Sequence, residues 1–529
     1  MRTRLTALLA AVAAVALTAG ACSSDGSEGS GRGDGSVVRI LASSELTDTE
    51  QVLTRAQEET GIGVEITWSG TLDATRLVAS GGAEEYDALW LATNDYLRLR
   101  PEAVDRILTE TSVMTSPVAL GIRTEVVDRL GWNPEEVTWA QVHAAAAAGD
   151  LTFGMTDPTR SNSGYSALIS VTSALSGAEA ALTEEDVTGS AEELRQFFTG
   201  QRLTSGSSGW LATAFGDRPD VDALINYESV LLSLVRDGAG DLTVVRPLDG
   251  VVTARYPLTT LTSASPEARD ALGTLTDHLR GQEAQAALTE QTLRRPVAGG
   301  VAPAEAIPDG QRRELPYPGT LAVADGLLDA FDNELRRPSR TVYVLDTSGS
   351  MEGERIESLR AALGRLTGTG TDGTGAGERF RERERVTLMP FAGQVVSVDT
   401  HTVEPADPEP GLTRIREGVE GLRAEGDTAI YLSLIEAYEL LAEENTEDAF
   451  TSIVLMTDGE NGDSVGPDGF ADFHRTLPPA LRTVPVFTVL FGDSDRGELE
   501  GIAELTGGRL FDAVDGSLDQ AFQEIRGYQ

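Results

Sequence analysis

Short apolar runs and longer amphipathic stretches alternate through the first half of the chain. Patterns with helical spacing lie at about residues 49–59 and 72–79. The apolar runs predict strands at residues 37–42, 64–68, 87–92, 116–122 and 151–156. Strands that alternate with helices are typical of a parallel α/β sheet, in which ligands bind beyond the carboxyl ends of the strands. We therefore predict an α/β domain over residues 37–316.

The second half of the chain shows apolar runs that lack a polar face. These runs predict strands at residues 341–345, 386–392, 395–400, 452–459 and 484–492. Helical patterns cover residues 428–441 and 517–526. Strands without polar alternation are buried on both faces, which is the mark of a doubly wound sheet. A second, Rossmann-like α/β domain is predicted over residues 339–529.

A stretch rich in proline and glycine separates the two halves. Residues 296–319 carry both residue types repeatedly, a helical pattern follows at about 320–335, and Pro338 stops it. Repeated Pro and Gly end regular structure or carry a chain over a domain surface. We predict a linker and connecting helix at residues 317–338.

The order of elements in the first half resembles that of the extracellular solute-binding proteins of bacterial ABC transporters. Those proteins are two-lobed receptors, in which the chain leaves lobe one, builds lobe two and returns. The resemblance implies a type II periplasmic-binding-protein-like fold for residues 37–316, with a solute site between the lobes.

Small polar side chains follow several predicted strands of this half. The most informative segment is DPTRSNSGYSAL at residues 157–168, where a strand runs into an apolar helix. Free backbone N–H groups at a helix start suit an anion or polar ligand. The predicted solute-binding side chains are Ser43, Ser44, Asn94, Ser161, Ser163 and Tyr227. The alternative is that Ser161 or Ser163 caps the helix and Tyr227 is ordinary packing.

Three short segments of the second half stand at loop positions at one end of its predicted sheet. DTSGS follows the strand at 341–345, GDTAIY opens the helix near 428, and TDGEN follows the run SIVLM. Together they closely resemble the von Willebrand factor A (VWA) family, whose metal-ion-dependent adhesion site (MIDAS) uses D-x-S-x-S, a separate Thr and a separate Asp. The matching positions are Asp346, Ser348, Ser350, Thr428 and Asp458.

These residue types fit a hard divalent cation on chemical grounds alone. Hydroxyl and carboxylate oxygens, with no nitrogen or sulfur, suit Mg²⁺, with Mn²⁺ and Ca²⁺ as alternatives. If each of the five gives one atom, a coordination position stays open, and the family resemblance implies that a carboxylate of a protein ligand takes it. Separately, Asp346 and Ser350 could each merely cap a helix.

The amino terminus has the pattern of a secretory signal. Two arginines precede an uncharged apolar stretch at residues 5–17, which is shorter than the roughly 20 residues needed to span a bilayer. Cys22 directly follows Ala-Gly-Ala, and this resembles the lipobox of bacterial lipoproteins. We predict a signal peptide at 1–21, lipidation of Cys22 and a flexible tether at 22–36, with an exported protein bearing a spare thiol as the alternative.

The amino-acid composition reduces the number of function classes that fit the chain. Among the 529 residues, 84 are acidic and 42 are basic, and every basic one is Arg. A net charge of −42 repels phosphate backbones, so binding of DNA or RNA is excluded. Four scattered histidines and a single cysteine do not form a zinc motif, and no nucleophile-elbow or phosphate-loop motif occurs. These absences favour a binding protein over an enzyme.

The sequence therefore predicts a lipid-anchored binding protein on the extracytoplasmic face of the cell membrane. Its second domain would bind a protein partner through a metal-bridged carboxylate, and its first would hold a small solute or serve as a platform. The alternative is the substrate-binding component of an ABC-type transporter with a regulatory VWA domain.

Overall fold

The structure is a computed structural model that describes residues 36–238, 241–310, 312–368, 379–443, 449–462, 464–492, 494–514 and 518–528. The predicted signal peptide, Cys22 and all but the last residue of the predicted tether lie outside these residues. Within them, no helix combines the length and apolar content that crossing a bilayer requires.

The N-terminal region contains two β-sheets. Its strands in chain order are β1 (Val37–Ser43), β2 (Gly63–Ser69), β3 (Ala88–Trp90), β4 (Ile107–Ser112), β5 (Met114–Arg123), β6 (Phe153–Thr156), β7 (Gln201–Ser205), β8 (Ala223–Tyr227), β9 (Leu242–Val245), β10 (Thr253–Ala254), β11 (Pro257–Leu261) and β12 (Arg295–Pro296).

Helices cover both sheets. In chain order they are α1 (Glu50–Thr60), α2 (Thr71–Ser80), α3 (Asp95–Arg98), α4 (Pro101–Val104), α5 (Thr124–Leu130), α6 (Trp139–Ala148), α7 (Asn162–Ser176), α8 (Glu184–Gly189), α9 (Ala191–Phe198), α10 (Ser208–Gly216), α11 (Glu228–Arg236), α12 (Pro266–Leu279), α13 (Gln282–Thr292) and α14 (Leu321–Ala330). A 3₁₀ turn, Ser44–Thr49, precedes α1, and a π-helical turn, Phe331–Leu335, follows α14.

The two sheets define two lobes. Lobe one holds the sheet β2-β1-β3-β11-β4, and lobe two holds β10-β5-β8-β6-β7, with β9 and β12 also pairing with β5. The chain enters lobe two from β4 to β5 and returns from β10 to β11, which confirms the predicted two-lobed class. The sheets are mixed, because β11 comes back antiparallel to both β3 and β4. The prediction of a purely parallel sheet was therefore wrong for this region.

The C-terminal region is a single sheet covered by helices. Its strands are β13 (Ser339–Asp346), β14 (Arg385–Phe391), β15 (Asp399–Thr402), β16 (Phe450–Thr457), β17 (Val486–Leu490) and β18 (Leu510–Asp512). Its helices are α15 (Glu354–Leu366), α16 (Glu409–Gly421), α17 (Ile430–Ala442), α18 (Pro467–Thr476), α19 (Pro479–Arg482), α20 (Arg496–Thr506) and α21 (Leu518–Arg526). A 3₁₀ turn, Gly349–Met351, precedes α15.

Strand order in this sheet is β15-β14-β13-β16-β17-β18, parallel except for β15. The central strands are buried along most of their length, as the lack of polar alternation predicted. The strand predicted at 395–400 is wrong in position, since β15 begins at Asp399. Its ladder with β14 ends before Pro390, which has no N–H to donate.

A buried group of charges joins the two regions, and residues Ser36–Gln529 form one compact unit. Arg381, in the chain leading to β14, donates from Nη2 to Asp157 Oδ2 over 2.9 Å. Its Nε lies 3.0 Å from Asp332 Oδ1. The Arg381 and Asp157 side chains are only 2% and 3% exposed. Burial alone would raise the pKa of Asp157, but Arg381 lowers it below its ordinary value.

A second ion cluster lies beside the first. Glu384 is bonded by Arg336 at 3.0 Å and by Arg526 of α21 at 2.7 Å. Removing one member of a buried pair leaves the other charge without a partner, so this cluster holds the connecting segment before β13 against α21 and the chain that leads to β14.

Candidate metal centre and solute cleft

Two aspartates come together at the carboxyl edge of the C-terminal sheet. Asp346 is the last residue of β13, and Asp458 follows the last residue of β16. These strands are parallel neighbours, so their carboxyl ends share one edge of the sheet. Both residues are buried, with 0% and 1% of their surface exposed.

The DTSGS turn places two serines between these aspartates. The backbone N–H of Ser348 donates to Asp346 Oδ1 over 2.7 Å, which closes the turn. The Oγ atoms of Ser348 and Ser350 are 2.9 Å apart. Ser350 Oγ donates to Asp458 Oδ1 over 2.7 Å. Three of the five predicted metal residues thus form a chain of oxygen contacts, and the Ser348 backbone N–H ties Asp346 to it.

Thr428 reaches the same place from the loop before α17. A carbon added at the Cβ position of Gly459 would lie 3.5 Å from Thr428 Oγ1 and 3.6 Å from Ser350 Oγ. The two hydroxyls therefore flank Gly459. The N–H of Gly462 donates to the Thr428 carbonyl over 2.7 Å, which ties the loop after β16 to the loop before α17.

Two further residues of this centre were not predicted. Thr457 Oγ1 donates to Asp346 Oδ2 over 2.5 Å. Arg355, in the first turn of α15, donates from Nη1 to Asp458 Oδ2 over 2.6 Å. A cation in the first turn opposes the helix dipole, and that anomaly is the sequence signal that could have drawn attention to Arg355.

Gly492 allows Arg355 to approach Asp458 closely. Its φ is +64°, and an added Cβ would stand 2.9 Å from Asp458 Cβ and 3.0 Å from Arg355 Cζ. A larger residue at this position would push the guanidinium and the carboxylate apart.

The donor set fits a hard divalent cation. Burial raises the pKa of Asp346, hydrogen bonds from Thr457 and Ser348 partly offset this, and the charge of Asp458 adds to it. A buried carboxylate held by neutral donors beside a second carboxylate is stabilised by a cation. The described residues contain no group of three or more His, Cys, Asp and Glu side chains that could hold a metal. A metal at this centre would therefore need the serine and threonine hydroxyls as ligands beside the two aspartates.

The lobe-one residues predicted for the solute site are bonded to other protein groups. Ser43 Oγ lies 2.8 Å from Thr71 Oγ1 and accepts from the N–H of Ala92 over 3.0 Å. Asn94 Nδ2 donates to Thr259 Oγ1 over 2.8 Å. Ser44 is half-buried at the start of the 3₁₀ turn. Ser43 and Asn94 are buried and serve lobe one itself.

Serine hydroxyls form a second cluster at the start of α7 in lobe two. Ser163 Oγ lies 2.8 Å from both Thr156 Oγ1 and Ser208 Oγ, and 3.2 Å from Ser161 Oγ. Ser161 occupies the N-cap position, but its side chain does not cap the helix. A Cβ on Gly164 would stand 2.2 Å from the Thr156 carbonyl oxygen, so this glycine lets α7 approach β6.

Tyr227, at the end of β8, joins α7 through Asn162. Asn162 Nδ2 donates to the Tyr227 hydroxyl over 3.0 Å, and Tyr227 is fully buried. Asn162 itself was not predicted. The structure thus brings Ser161, Ser163 and Tyr227 to one helix start in lobe two, while Ser43, Ser44 and Asn94 stay on the lobe-one side.

Glu45 lies in the 3₁₀ turn after β1, on the lobe-one side. Burial raises its pKa from 4.5 to about 7, although its bond with backbone N–H and the nearby Arg294 act in the opposite direction. Its side chain is half-buried. Glu45 is therefore a carboxyl group that takes up a proton near neutral pH.

In comparisons with known proteins, two segments of the chain match two different protein families. Residues 38–294 match the family model for bacterial extracellular solute-binding proteins, and residues 341–460 match the model for the von Willebrand factor type A domain. A domain of the first family implies an extracytoplasmic location.

Individual relatives cover smaller parts. An uncharacterized protein of Synechocystis sp. is 33% identical over 133 residues, which is 25% of this chain and 28% of that protein. Inter-alpha-trypsin inhibitor heavy chain H4 of Sus scrofa is 26% identical over 205 residues, 36% of this chain and 20% of that protein. This chain thus spans between a fifth and somewhat over a quarter of the length of these relatives.

Among solved structures, the periplasmic binding protein AfuA of Actinobacillus pleuropneumoniae, with fructose-6-phosphate bound, aligns with 57% of this chain and 99% of its own length. The identity is 12% and the TM-score is 0.47. The two family matches show an extracellular solute-binding domain at residues 38–294 followed by a VWA domain at residues 341–460.

Proposed function

We propose that this protein is an extracytoplasmic binding protein whose VWA domain holds a protein partner through a Mg²⁺-dependent MIDAS. The observation that carries the proposal is the cluster of hydroxyl and carboxylate groups at the carboxyl edge of the C-terminal sheet. There Ser350 contacts the Ser348 hydroxyl and bonds Asp458, while the backbone N–H of Ser348 and the Thr457 hydroxyl hold Asp346. VWA domains commonly bind a divalent metal at such a cluster.

In this proposal the five oxygen-bearing side chains that hold the ion are Asp346, Ser348, Ser350, Thr428 and Asp458. When bound, Mg²⁺ supplies a coordination position for a carboxylate of the partner, with Mn²⁺ or Ca²⁺ as possible substitutes. Since the chain has a net charge of −42, an acidic partner is repelled at long range. Local positive charge at the MIDAS is what allows a carboxylate to approach.

The proposal places the protein at the cell membrane. Lipidation of Cys22, which lies outside the described residues, would anchor it, and the Gly- and Ser-rich residues after it would act as a flexible tether. No step of catalysis is proposed for either domain.

The solute-binding domain supports a second role, which is to hold a small solute or to act as a platform. Its match to the family of bacterial extracellular solute-binding proteins also favours the alternative of a substrate-binding component of an ABC-type transporter. In that case the VWA domain would regulate docking to the permease.

The MIDAS is tested by metal-dependent stability of the intact protein. A ligand that binds only the folded state at 100 times its Kd stabilises it by about 2.7 kcal/mol. We expect Mg²⁺ to raise the melting temperature of the wild type and to leave that of Asp346→Ala unchanged. The control is Asp472→Ala, an exposed aspartate of α18 in the same domain, which should keep the full metal response. A wild-type melting curve that saturating Mg²⁺ does not move would refute the metal assignment.

A further inference from the structure

The segment between the two domains runs across the solute-binding domain. We call residues 312–335 the strap. It starts beside the strands that connect the lobes: Glu314 accepts from the N–H of Thr253 over 3.0 Å, and the N–H of Leu315 donates to the Val251 carbonyl over 2.8 Å. Since β10 and β11 carry the chain from lobe two back to lobe one, the strap is attached at the hinge.

Tyr317 of the strap then enters the start of α7. Its hydroxyl donates to Asn162 Oδ1 over 2.7 Å and lies 3.0 Å from Ser166 Oγ. Its ring meets the Tyr165 ring edge to face, with centroids 5.9 Å apart. Burial raises the pKa of Tyr317, and the charge of Asp95 from lobe one adds to this. Tyr317 thus takes hydrogen bonds at the helix start that the sequence marked for a solute.

Asn162 connects the strap to the predicted solute residues. Its Nδ2 donates to Tyr227 while its Oδ1 accepts from Tyr317. Both polar atoms of the amide are therefore committed to phenol groups of this chain, and one of those phenols comes from the strap.

The helix of the strap is hydrogen-bonded to lobe one. Asp325 of α14 accepts from the Tyr96 hydroxyl over 2.6 Å and from Arg100 Nη2 over 3.1 Å. The Tyr96 ring in turn meets the Tyr165 ring of lobe two, with centroids 5.8 Å apart. Further along, Phe331 packs edge to face on Phe198 of lobe two at 5.1 Å.

The lobes also contact each other directly. The N–H of Leu72, at the start of α2 in lobe one, donates to the Arg160 carbonyl of lobe two over 3.2 Å. Arg160 Nη2 lies 2.9 Å from Asp73 Oδ2. Hinge opening would therefore break a backbone bond, an ion pair and the strap contacts together.

We propose that the strap is an internal occupant of the cleft, which holds the two lobes closed and makes the solute-binding domain a fixed platform for the VWA domain. A two-lobed receptor exchanges solute by rotating its lobes about the hinge. Here Tyr317 fills a hydrogen-bonding position of lobe two, Asp325 fastens lobe one, and the same segment continues into β13 and Asp346. The inference does not depend on whether the MIDAS binds metal.

Lobe separation is the measurement that tests this. Because Cys22 is the single cysteine, a Cys22→Ser background accepts two spin labels at chosen sites. Glu84→Cys in lobe one and Glu193→Cys in lobe two are both exposed. Electron–electron double resonance then reports the distance between the lobes in the intact protein, with melting curves and circular dichroism confirming that each variant is folded.

We expect one narrow distance in the otherwise unchanged protein. Combining Tyr317→Ala with Asp325→Ala should add a second population at longer distance. The matched control is Asp329→Ala, one turn later on α14, whose side chain contacts only Asn333 of its own segment among the bonds described; it should keep the single distance. If Tyr317→Ala does not fold, Tyr317→Phe with Asp325→Leu removes the same bonds and keeps most of the side-chain volume.

Two outcomes would overturn the proposal. One is a broad or double distance between the spin labels in the protein whose strap is unchanged, since the lobes would then open with the strap in place. The other is a single unshifted distance in the folded double variant, because the strap would then not be what holds the lobes together.

Discussion

The candidate metal centre and the solute cleft were both predicted from polar residues at strand ends, yet their residues have different surroundings in the structure. At the candidate metal centre, the DTSGS turn bonds Asp458 through Ser350 and Asp346 through the Ser348 backbone N–H, and the Thr428 and Ser350 hydroxyls flank Gly459. In the cleft, the predicted hydroxyls divide between two lobes and bond to nearby protein groups, and the strap supplies Tyr317. Polar residues at strand ends thus locate a region of the sheet, whereas convergence on shared buried charges indicates a binding centre.

The largest expected effect concerns the contact between the two domains. Replacing Arg381 by Leu leaves Asp157 and Asp332 without their buried partner. Breaking a buried ion pair in this way costs about 3–5 kcal/mol. We therefore expect Arg381→Leu to lower the free energy of unfolding by this amount in urea titrations.

The control for this variant is Arg475→Leu. Arg475 pairs with Asp472 on α18, where both side chains are about 70% exposed. Exposed pairs contribute only about 0–1 kcal/mol, so this variant should unfold almost as the wild type does. Equal, small effects of the two substitutions would show that the domains are not energetically joined at Arg381.

A smaller effect is expected at Arg355, and it would test how this residue acts on the candidate metal centre. Its guanidinium binds Asp458 Oδ2 and adds a positive charge next to the proposed cation site. Arg355→Gln keeps a hydrogen-bond donor and removes that charge, so Mg²⁺ binding should tighten about tenfold, on the order of 1.4 kcal/mol. Titration calorimetry of the intact protein measures this.

Arg355→Lys keeps the charge and should bind Mg²⁺ as the wild type does. Weaker binding by Arg355→Gln would instead mean that Arg355 chiefly orients Asp458, with its charge of secondary importance.

A further expected effect is a pH dependence of stability that arises from Glu45. Glu45 has a folded-state pKa of about 7 against an ordinary value of 4.5, because burial disfavours its charged form. Between these values the unfolded chain has lost the proton while the folded chain keeps it, so this group makes stability fall as pH rises from about 4.5 to 7.

Glu45→Gln cannot ionise and should lose less stability than the wild type between pH 5 and pH 8 in urea titrations. The exposed Glu58→Gln on α1 is the control and should follow the wild type. Parallel curves for wild type and Glu45→Gln would contradict the assignment of a neutral carboxyl to Glu45.

Much of the fold could be predicted because its signals are local. Apolar runs without alternation predicted the buried strands β13, β14, β16 and β17, and the structure has strands at these places. The alternation of strands and helices predicted the α/β class. In contrast, the antiparallel β11 within lobe one and the true start of β15 depend on pairing between distant segments.

The candidate sites divide in the same way. The spacing Asp-x-Ser-x-Ser is contained in one turn, so its own backbone decides that Ser348 and Ser350 stand side by side. The partners of Arg355, Arg381 and Tyr317 could not be predicted, because each of these residues contacts one at least 103 positions away in the sequence.

By itself, the sequence determined two α/β domains, the short oxygen-rich motifs and the acidic character of the protein, because these follow from hydrophobic periodicity, turn geometry and composition. Only the tertiary structure decided that the domains join through Arg381 and Asp157, that Arg355 meets Asp458, and that the strap carries Tyr317 to Asn162. The physical reason is that local patterns record which face of an element is buried, whereas the partner that meets a buried charge or hydroxyl is chosen when distant elements pack.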